Sequence, residues 1–224
     1  MSINTTGTTE EYLEAIINMI AEGKKVLGAR LAERLEVSPP TVTATLNRMK
    51  RDGLIEPNRK DGVSLTPRGR ELAAGIVRRH RLAERLLTDI LHIPWSETHQ
   101  EACLLEHAIS EKVVERLDDV LGRPQTCPHG NPIPRDGRLP AIRGVPLDAA
   151  EKGEVVTVER ISEEANRSPE LMKYFEEKGI IPGTALTVED VAEYAGMLTV
   201  SVGGTSFSMG TKAAALVWVT PTGG

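Results

Sequence analysis

Between residues 10 and 22 the apolar side chains fall at Tyr12, Leu13, Ile16, Ile17 and Ile20, the spacing of a helix with one buried face. Gly23 ends that pattern, and residues 28–35 carry a second, shorter one. Val37-Ser38-Pro39-Pro40 reads as a turn: Ser38 can cap the next helix and proline suits its first turn. The third helix is expected over 41–51 and is stopped by Asp52-Gly53. The pattern then changes to two short strand candidates, 54–57 and 63–66, joined by a segment ending in Asp61-Gly62, a hairpin turn signal. Helix, helix, turn, helix, hairpin is the order of a winged helix-turn-helix, which lays one helix in the DNA major groove.

Pro67 opens a long helical pattern over 68–91, ending before Pro94. Further helices are expected over 96–110 and 111–121, with the aliphatic faces of a helical dimerisation bundle. Residues 124–146 are rich in proline and glycine and read as a linker or irregular arm. Beyond it, 154–161, 185–191, 197–202 and 214–219 are rich in Val, Thr and Ile, around one helix at 169–178. They predict a small β-barrel. The fold class is therefore α+β and multidomain, in three units: 1–74, 75–145 and 146–224. Because the third unit follows a proline-rich stretch, its docking is expected to be marginal and mobile.

With aromatics at 3% of 224 residues, the cores must be aliphatic. No apolar run nears the ~18 residues of a membrane span, and Met1–Thr9 lacks the charge and apolar run of a signal peptide. The chain reads as cytoplasmic, with no membrane association. Two cysteines, Cys103 and Cys127, are too few for a disulfide framework. The net charge of −5 hides a segregation: residues 24–81 hold 14 Lys/Arg against 6 Asp/Glu, and the rest 13 against 26. A basic reading domain on an acidic body would show this division. On the expected reading helix and its approach, Ser38, Pro40, Thr41, Thr43, Thr45, Asn47, Arg48 and Arg51 can reach bases or phosphates, and Arg30, Lys50, Arg59 and Lys60 are phosphate candidates.

The run His99-Gln-Glu-Ala-Cys103-Leu-Leu-Glu106-His107 changes the picture most. In a helix its two imidazoles, thiol and carboxylate share one face, the donor set of a borderline transition-metal site. His80 and Glu84 form a second pair one helical turn apart.

These stretches resemble the diphtheria-toxin-repressor family of metal-dependent transcriptional repressors, in its three-domain form. The resemblance rests on Ala32–Leu35 with Ser38–Val42, on Arg79-His80-Arg81-Leu82-Ala83-Glu84, on His99 through His107, and on Gly130-Asn131-Pro132-Ile133-Pro134. It covers about the first 145 residues closely and the remainder loosely. It implies a homodimer that binds operator DNA when loaded with Fe2+ or Mn2+ at two sites per chain, no organic cofactor, and an SH3-like third domain. Cys103, Glu106 and His107 would form the first site, with Glu11 as fourth ligand. Iron-type relatives carry methionine at the Glu11 position and manganese-type relatives aspartate, so this set is mixed. Glu11 also fits a capping box with Thr8, and Glu14 stands in reserve. His80, Glu84 and His99 would form the second site, completed from the third domain by Glu163 and Asn166. Ala44 stands where iron-type relatives usually have glutamine.

His92 and His129 lie beside turn or linker sequence and read as solvated, and the Cys127–His129 spacing reads as coincidence. A metallohydrolase and a winged-helix regulator with a purely structural metal are the rival classes. No nucleophile or general-base motif accompanies the ligands.

Overall fold

The computed structural model describes residues 7–222. The N-terminal unit consists of α1 (Gly7–Ala21), α2 (Gly28–Arg34), α3 (Pro39–Arg51) and a hairpin of β1 (Ile55–Asn58) with β2 (Gly62–Leu65). Tyr12, Leu13, Ile16 and Ile17 of α1 are buried with Leu31, Val42, Met49 and Leu65 in one apolar cluster, which also includes Ala73, Ile76 and Val77. Each large aliphatic side chain so buried contributes about 1.5–3 kcal/mol. The cluster therefore binds the winged helix firmly to α4 (Pro67–Arg85).

Three helices begin with the same device. Ser38, Thr66 and Ser168 each accept a backbone N–H from the first turn, at 3.4, 3.0 and 3.2 Å, and each is followed by proline. Proline's fixed φ suits that turn and its missing donor costs nothing there. Gly69, in the first turn of α4, is required: a Cβ would lie 2.0 Å from the Leu54 carbonyl oxygen.

The long helix expected over 68–91 is shorter. α4 ends at Arg85 and continues as one wide π turn, Leu86–Ile90. α5 (Thr98–Leu105) and α6 (Glu111–Val120) complete the helical unit. Asp118 joins α6 to the following arm, accepting two bonds from Arg135 at 2.6 and 3.0 Å and one from Arg78 at 2.9 Å.

The C-terminal unit is a six-stranded antiparallel sheet in the order β3-β8-β4-β5-β6-β7. Its strands are β3 (Val145–Pro146), β4 (Val155–Ile161), β5 (Ala185–Ala192), β6 (Met197–Val202), β7 (Thr205–Gly210) and β8 (Val217–Pro221). Helix α7 (Pro169–Glu177) lies between β4 and β5, and the short α8 (Thr211–Ala214) between β7 and β8. Val156, Val158, Phe175, Leu186, Val188, Leu198 and Val200 share its core. β7 was missing from the sequence reading. Its Thr-Ser-Phe-Ser-Met-Gly lacks an aliphatic run, and it forms by pairing along β6 from Thr205 to Gly210 after the Gly203-Gly204 turn.

The expectation of marginal docking is overturned. The arm is packed: Cys127, His129, Asn131 and Ile133 are buried. The Ile161 N–H donates to the His129 carbonyl at 2.8 Å, and the Asn131 amide donates to the Ile161 carbonyl at 2.9 Å. Gly130, at φ +83°, lets the arm press on β4, because a Cβ there would lie 2.2 Å from the Glu159 oxygen. Arg160, fully buried, stacks 4.3 Å from the Trp218 ring and donates to Asn131 Oδ1 at 2.9 Å and Glu22 Oε1 at 3.3 Å. Ser162 donates to the same Glu22 oxygen at 2.7 Å. Arg81 of α4 reaches Asn18 Oδ1 at 3.1 Å, Glu163 Oε1 at 3.0 Å and the Pro132 carbonyl. Buried charges persist only when paired, so these residues hold all three units together around one point.

Candidate metal centre

That point is an acid–imidazole–thiol cluster. α4 presents His80 and Glu84 one turn apart, both fully buried. α5 presents His99 and Cys103 one turn apart, and its C-terminal end carries Glu106 and His107. α1 contributes Glu10, Glu11 and Glu14. The arm adds Cys127 and His129, and a short 3-10 turn after β4 adds Glu163 and Asn166.

The groups form a chain. His80 Nδ1 is 2.6 Å from Glu106 Oε2, and His80 Nε2 is 3.2 Å from Glu84 Oε1 and 3.0 Å from His99 Nδ1. His99 Nδ1 is 3.4 Å from the same Glu84 oxygen, and His99 Nε2 is 3.7 Å from Cys103 Sγ. His129 Nδ1 is 3.1 Å from Glu84 Oε1, so three imidazoles converge on one carboxylate oxygen.

The electrostatics follow. Burial opposes charging His129 and His99, but it is outweighed, and both pKa values rise to about 10. For His129 the strongest raising influence is the Glu84 charge; for His99 it is a hydrogen bond with Cys103. His80 is raised in the same way, with Glu84 the main cause acting against burial. Burial pushes Glu84 up, yet the charges of His129 and His80 hold it well below the carboxylate range. Cys103 is lowered against its burial by hydrogen bonds with His80 and His99, which favours the thiolate, the form that binds metal. Cys127 is raised by burial and by the nearby Glu84 charge, and Glu14 is raised by burial.

Three donor groups among the described residues lie with their ligand atoms within 4.8 Å of one another: His80, His99 and Cys103; Glu84, Cys127 and His129; and Glu14, His80 and Glu106. Other observations fit a cation. Glu84 Oε2 and Asn166 Oδ1 are buried without a hydrogen-bond partner. The His129 Nε2–H donates to the Trp95 carbonyl at 3.0 Å, so in the neutral ring Nδ1 aims a lone pair at the Glu84 carboxylate. Two facing acceptors need a proton or a metal ion between them.

The expected site residues fall as follows. Glu106 caps α5 with helical backbone angles and His107 follows it, yet the four donors of that run meet different partners. Glu106 turns to His80, and its Oε1 lies 3.4 Å from His107 Nε2. His107 Nδ1 lies 2.8 Å from Glu10 Oε2, which also faces Arg79 at 3.5 Å. Cys103 lies with His99 and His80 instead. Glu11 is exposed, but it lines a cleft of about 180 Å³ together with Glu14, His99, Cys103, Glu163 and Asn166. Glu163 Oε2 is 3.9 Å from His99 Nδ1 and accepts from the Asn166 amide at 3.2 Å. Glu163 and Asn166, drawn from the third unit, therefore reach the cluster around His80, Glu84 and His99.

The solvated reading of His129 and the coincidence reading of Cys127 are corrected: both are 1% exposed and face Glu84. The tight turn they flank, with the Gly130 N–H donating to the Cys127 carbonyl at 2.9 Å, brings the two side chains to one place. The readable signal was Cys-Pro-His-Gly itself, two ligand residue types across a turn.

On α3, Ser38, Pro40, Thr41, Thr43, Asn47, Lys50 and Arg51 are exposed, as a reading helix requires. Thr45 is buried and faces the core. Arg48 is half-buried, with a guanidinium nitrogen 3.5 Å from Thr9 Oγ1 on α1. Arg30 is exposed and lines a cavity of about 370 Å³ with Lys24, Arg34, Glu164 and Arg167, at the seam with the third unit.

A winged helix joined to a buried transition-metal donor cluster defines a metal-responsive DNA-binding regulator. Three family models cover the chain in order: the iron dependent repressor N-terminal DNA binding domain (residues 4–63), the iron dependent repressor metal binding and dimerisation domain (66–135) and the FeoA domain (145–221). The chain is 42% identical over 194 residues to the iron-dependent repressor IdeR of Mycobacterium leprae, covering 81% of this chain and 84% of that protein. It is 50% identical over 127 residues to the diphtheria toxin repressor of Corynebacterium diphtheriae, covering 57% and 56%. Among solved structures, a manganese-dependent transcriptional repressor in complex with manganese superposes with a TM-score of 0.85 at 36% identity, over 95% of this chain and 99% of that one. ScaR with bound Zn2+ gives 0.83 at 28% identity, over 95% and 99%. The chain belongs to the iron-dependent repressor family, with the DNA-binding, helical dimerisation and SH3-like domains of that family. No helix among the described residues is long and apolar enough to cross a membrane.

Proposed function

We propose that this protein is a cytoplasmic, homodimeric repressor that binds operator DNA when loaded with Fe2+ or Mn2+, two ions per chain, and controls genes of metal homeostasis. In this reading residues 1–74 read DNA, 75–145 bind metal and dimerise, and 146–224 tune the response. The observation that carries it is the position of the donor cluster: it sits where α1 of the DNA-reading unit meets α4, α5, the arm and the third unit.

Cys103, Glu106 and His107 would hold the first ion with a carboxylate from α1. Glu11 is the ligand expected from the family pattern, and Glu10 and Glu14 lie on the same helix against His107 and the His80–Glu106 pair. The second ion would take Glu84 with His80, His99, Glu163 and Asn166, or with Cys127 and His129. When bound, an ion supplies the positive charge that lets these anionic donors share one space. The residues themselves do the switching. Without metal, His80 bridges Glu106 and Glu84 through protons. A bound cation would take the place of those protons, and a carboxylate of α1 would join the donors of α5 around it. α1 shares its core with α3, so fixing α1 fixes the spacing of two reading helices in a dimer. This couples the sites only to the extent that the ion binds the DNA-competent arrangement more tightly.

Leu104, Ile90, Leu91, Val113 and Val120 of the helical unit expose apolar surface, Leu104 at 73% and Val120 at 74%. They supply the dimer face in this reading. Since the relatives are transcriptional repressors, the metallohydrolase reading gains nothing from them. The test is to select duplexes from a random DNA pool with Mn2+ and then measure fluorescence anisotropy with and without chelator. Tight binding only with metal is expected; equal affinity in both would overturn the switch.

A further inference from the structure

Away from the metal centre, a cavity of about 370 Å³ lies between α1, the root of the wing and the segment that leads into the third unit. Its apolar walls include Ile17 and Ile20 of α1, Leu65 of β2, and Leu139 and Ile142 of that segment. The segment is pinned at both ends. Arg135 and Arg138 exchange backbone hydrogen bonds at 3.2 and 2.9 Å, and Val145 pairs with Val219 on β8. Gly144 presses on the same strand, since a Cβ there would lie 2.4 Å from the Val219 carbonyl oxygen. Residues 139–143 thus bridge two fixed points and cannot collapse onto α1, where Ile20 stays 40% exposed.

Arg70 of α4 and Arg138 also line the cavity, and both are exposed, which places them at its mouth. Neither side chain has a hydrogen bond or ion pair among the described residues. No Asp or Glu lines the cavity; Glu71 packs its stem against Gly137 outside it. The cavity of equal volume beside Arg30 differs, because cations and carboxylates line it together and Lys24 pairs with Glu164 there.

We propose that the cavity under residues 139–143 is a binding site for a small amphipathic carboxylate, an apolar body whose anionic end meets Arg70 and Arg138. The chemistry follows from the walls. Water needs two to four polar partners, which aliphatic walls do not offer. At ~30 Å³ per water the space would take about twelve waters, or an organic molecule of roughly ten heavy atoms. That is within the range of small-molecule pockets. An arginine fork matches a carboxylate, and two unpaired arginines select an anion over a cation. The apolar interior in turn disfavours a bare inorganic anion. Ile17 and Ile20 belong to the helix that carries Glu11 and Glu14, so an occupant would brace the helix that the metal centre also grips. That consequence rests on the regulator reading; the binding itself does not.

The probes are octanoate and 2-naphthoate, with octanol as the uncharged control, titrated calorimetrically into the metal-free, full-length protein. One carboxylate per chain is expected, and the tighter of the two shows whether the body is a chain or a ring. Octanol should bind more weakly than octanoate. Replacing both arginines, Arg70→Gln with Arg138→Gln, should weaken octanoate about tenfold or more and leave octanol unchanged. Ala21→Phe, which fills the cavity from the end of α1, should abolish binding of all three. Both arginines are exposed, so their replacement tests the site even where Ala21→Phe misfolds, which thermal unfolding reads. No binding of either carboxylate, equal affinity for octanol and octanoate, or octanoate binding unchanged in the arginine double variant overturns the proposal; so does binding that survives in a folded Ala21→Phe protein. The titration uses neither metal nor DNA, and Mn2+-dependent DNA binding is scored apart, so failure of the regulator reading leaves this result intact.

Discussion

Glu84→Gln isolates the group on which three imidazoles converge. In the metal-free protein His129 and His99 titrate at about 10 against an ordinary value of 6.5, and His80 moves in the same direction. A group whose folded pKa is raised contributes stability that is complete below the unfolded pKa and is lost as pH rises through the folded one. Between about pH 7 and pH 9 each such group removes about 1.4 kcal/mol per pH unit. His80, His99 and His129 together set a wild-type slope of at most about 4 kcal/mol per unit. Glu84 itself works in another window: its depressed pKa protects the fold above the normal carboxylate range and fails as pH falls. The amide removes the leading raising influence on His129 and His80, while His99 keeps its bond to Cys103. The slope should drop to about 1.4 kcal/mol per unit or less. Near pH 6 the variant should lose roughly 3 kcal/mol, the cost of leaving a buried charge without its partner. That loss should shrink toward pH 9. Urea unfolding of chelator-treated protein across this range measures both. Parallel pH profiles for wild type and variant would refute the reasoning.

Leu104→Glu should turn a dimer into a monomer without unfolding it, because the 73%-exposed leucine loses no internal packing; sedimentation at micromolar concentration reads the outcome. Cutting the chain before Val145 removes Glu163 and Asn166 from the cluster and Arg160 from Glu22, so operator binding should need more Mn2+. An unchanged metal midpoint would return both ligands to a purely structural role. Gly130→Ala adds a Cβ 2.2 Å from the Glu159 carbonyl at a φ of +83° and should loosen the arm from β4, seen as faster proteolysis within residues 135–144. Equal cleavage rates would mean that the arm does not hold the third unit.

The winged helix was legible because its signals are local. The Ser38-Pro39-Pro40 cap, the Asp61-Gly62 turn and the periodicity of α1 act within a few residues and agree with one another. So did the identity of the strongest donors, since His, Cys and Glu in one short run are rarely neutral in meaning. Which donor meets which was decided by tertiary structure. Glu106, the helical cap of α5, meets His80, while His107 meets Glu10 and Cys103 meets His99, pairings set by where α1 and α4 pack. Cys127 and His129 lie in a segment whose prolines and glycines look like a linker from composition alone. Only the close approach of Gly130 to β4, and the hydrogen bonds that replace the arm's lost water, make it interior. Composition reports what a residue can do locally. Burial and the pairing of charges depend on surfaces more than a hundred positions apart, such as Glu22 with Arg160, and no short window of the chain contains both.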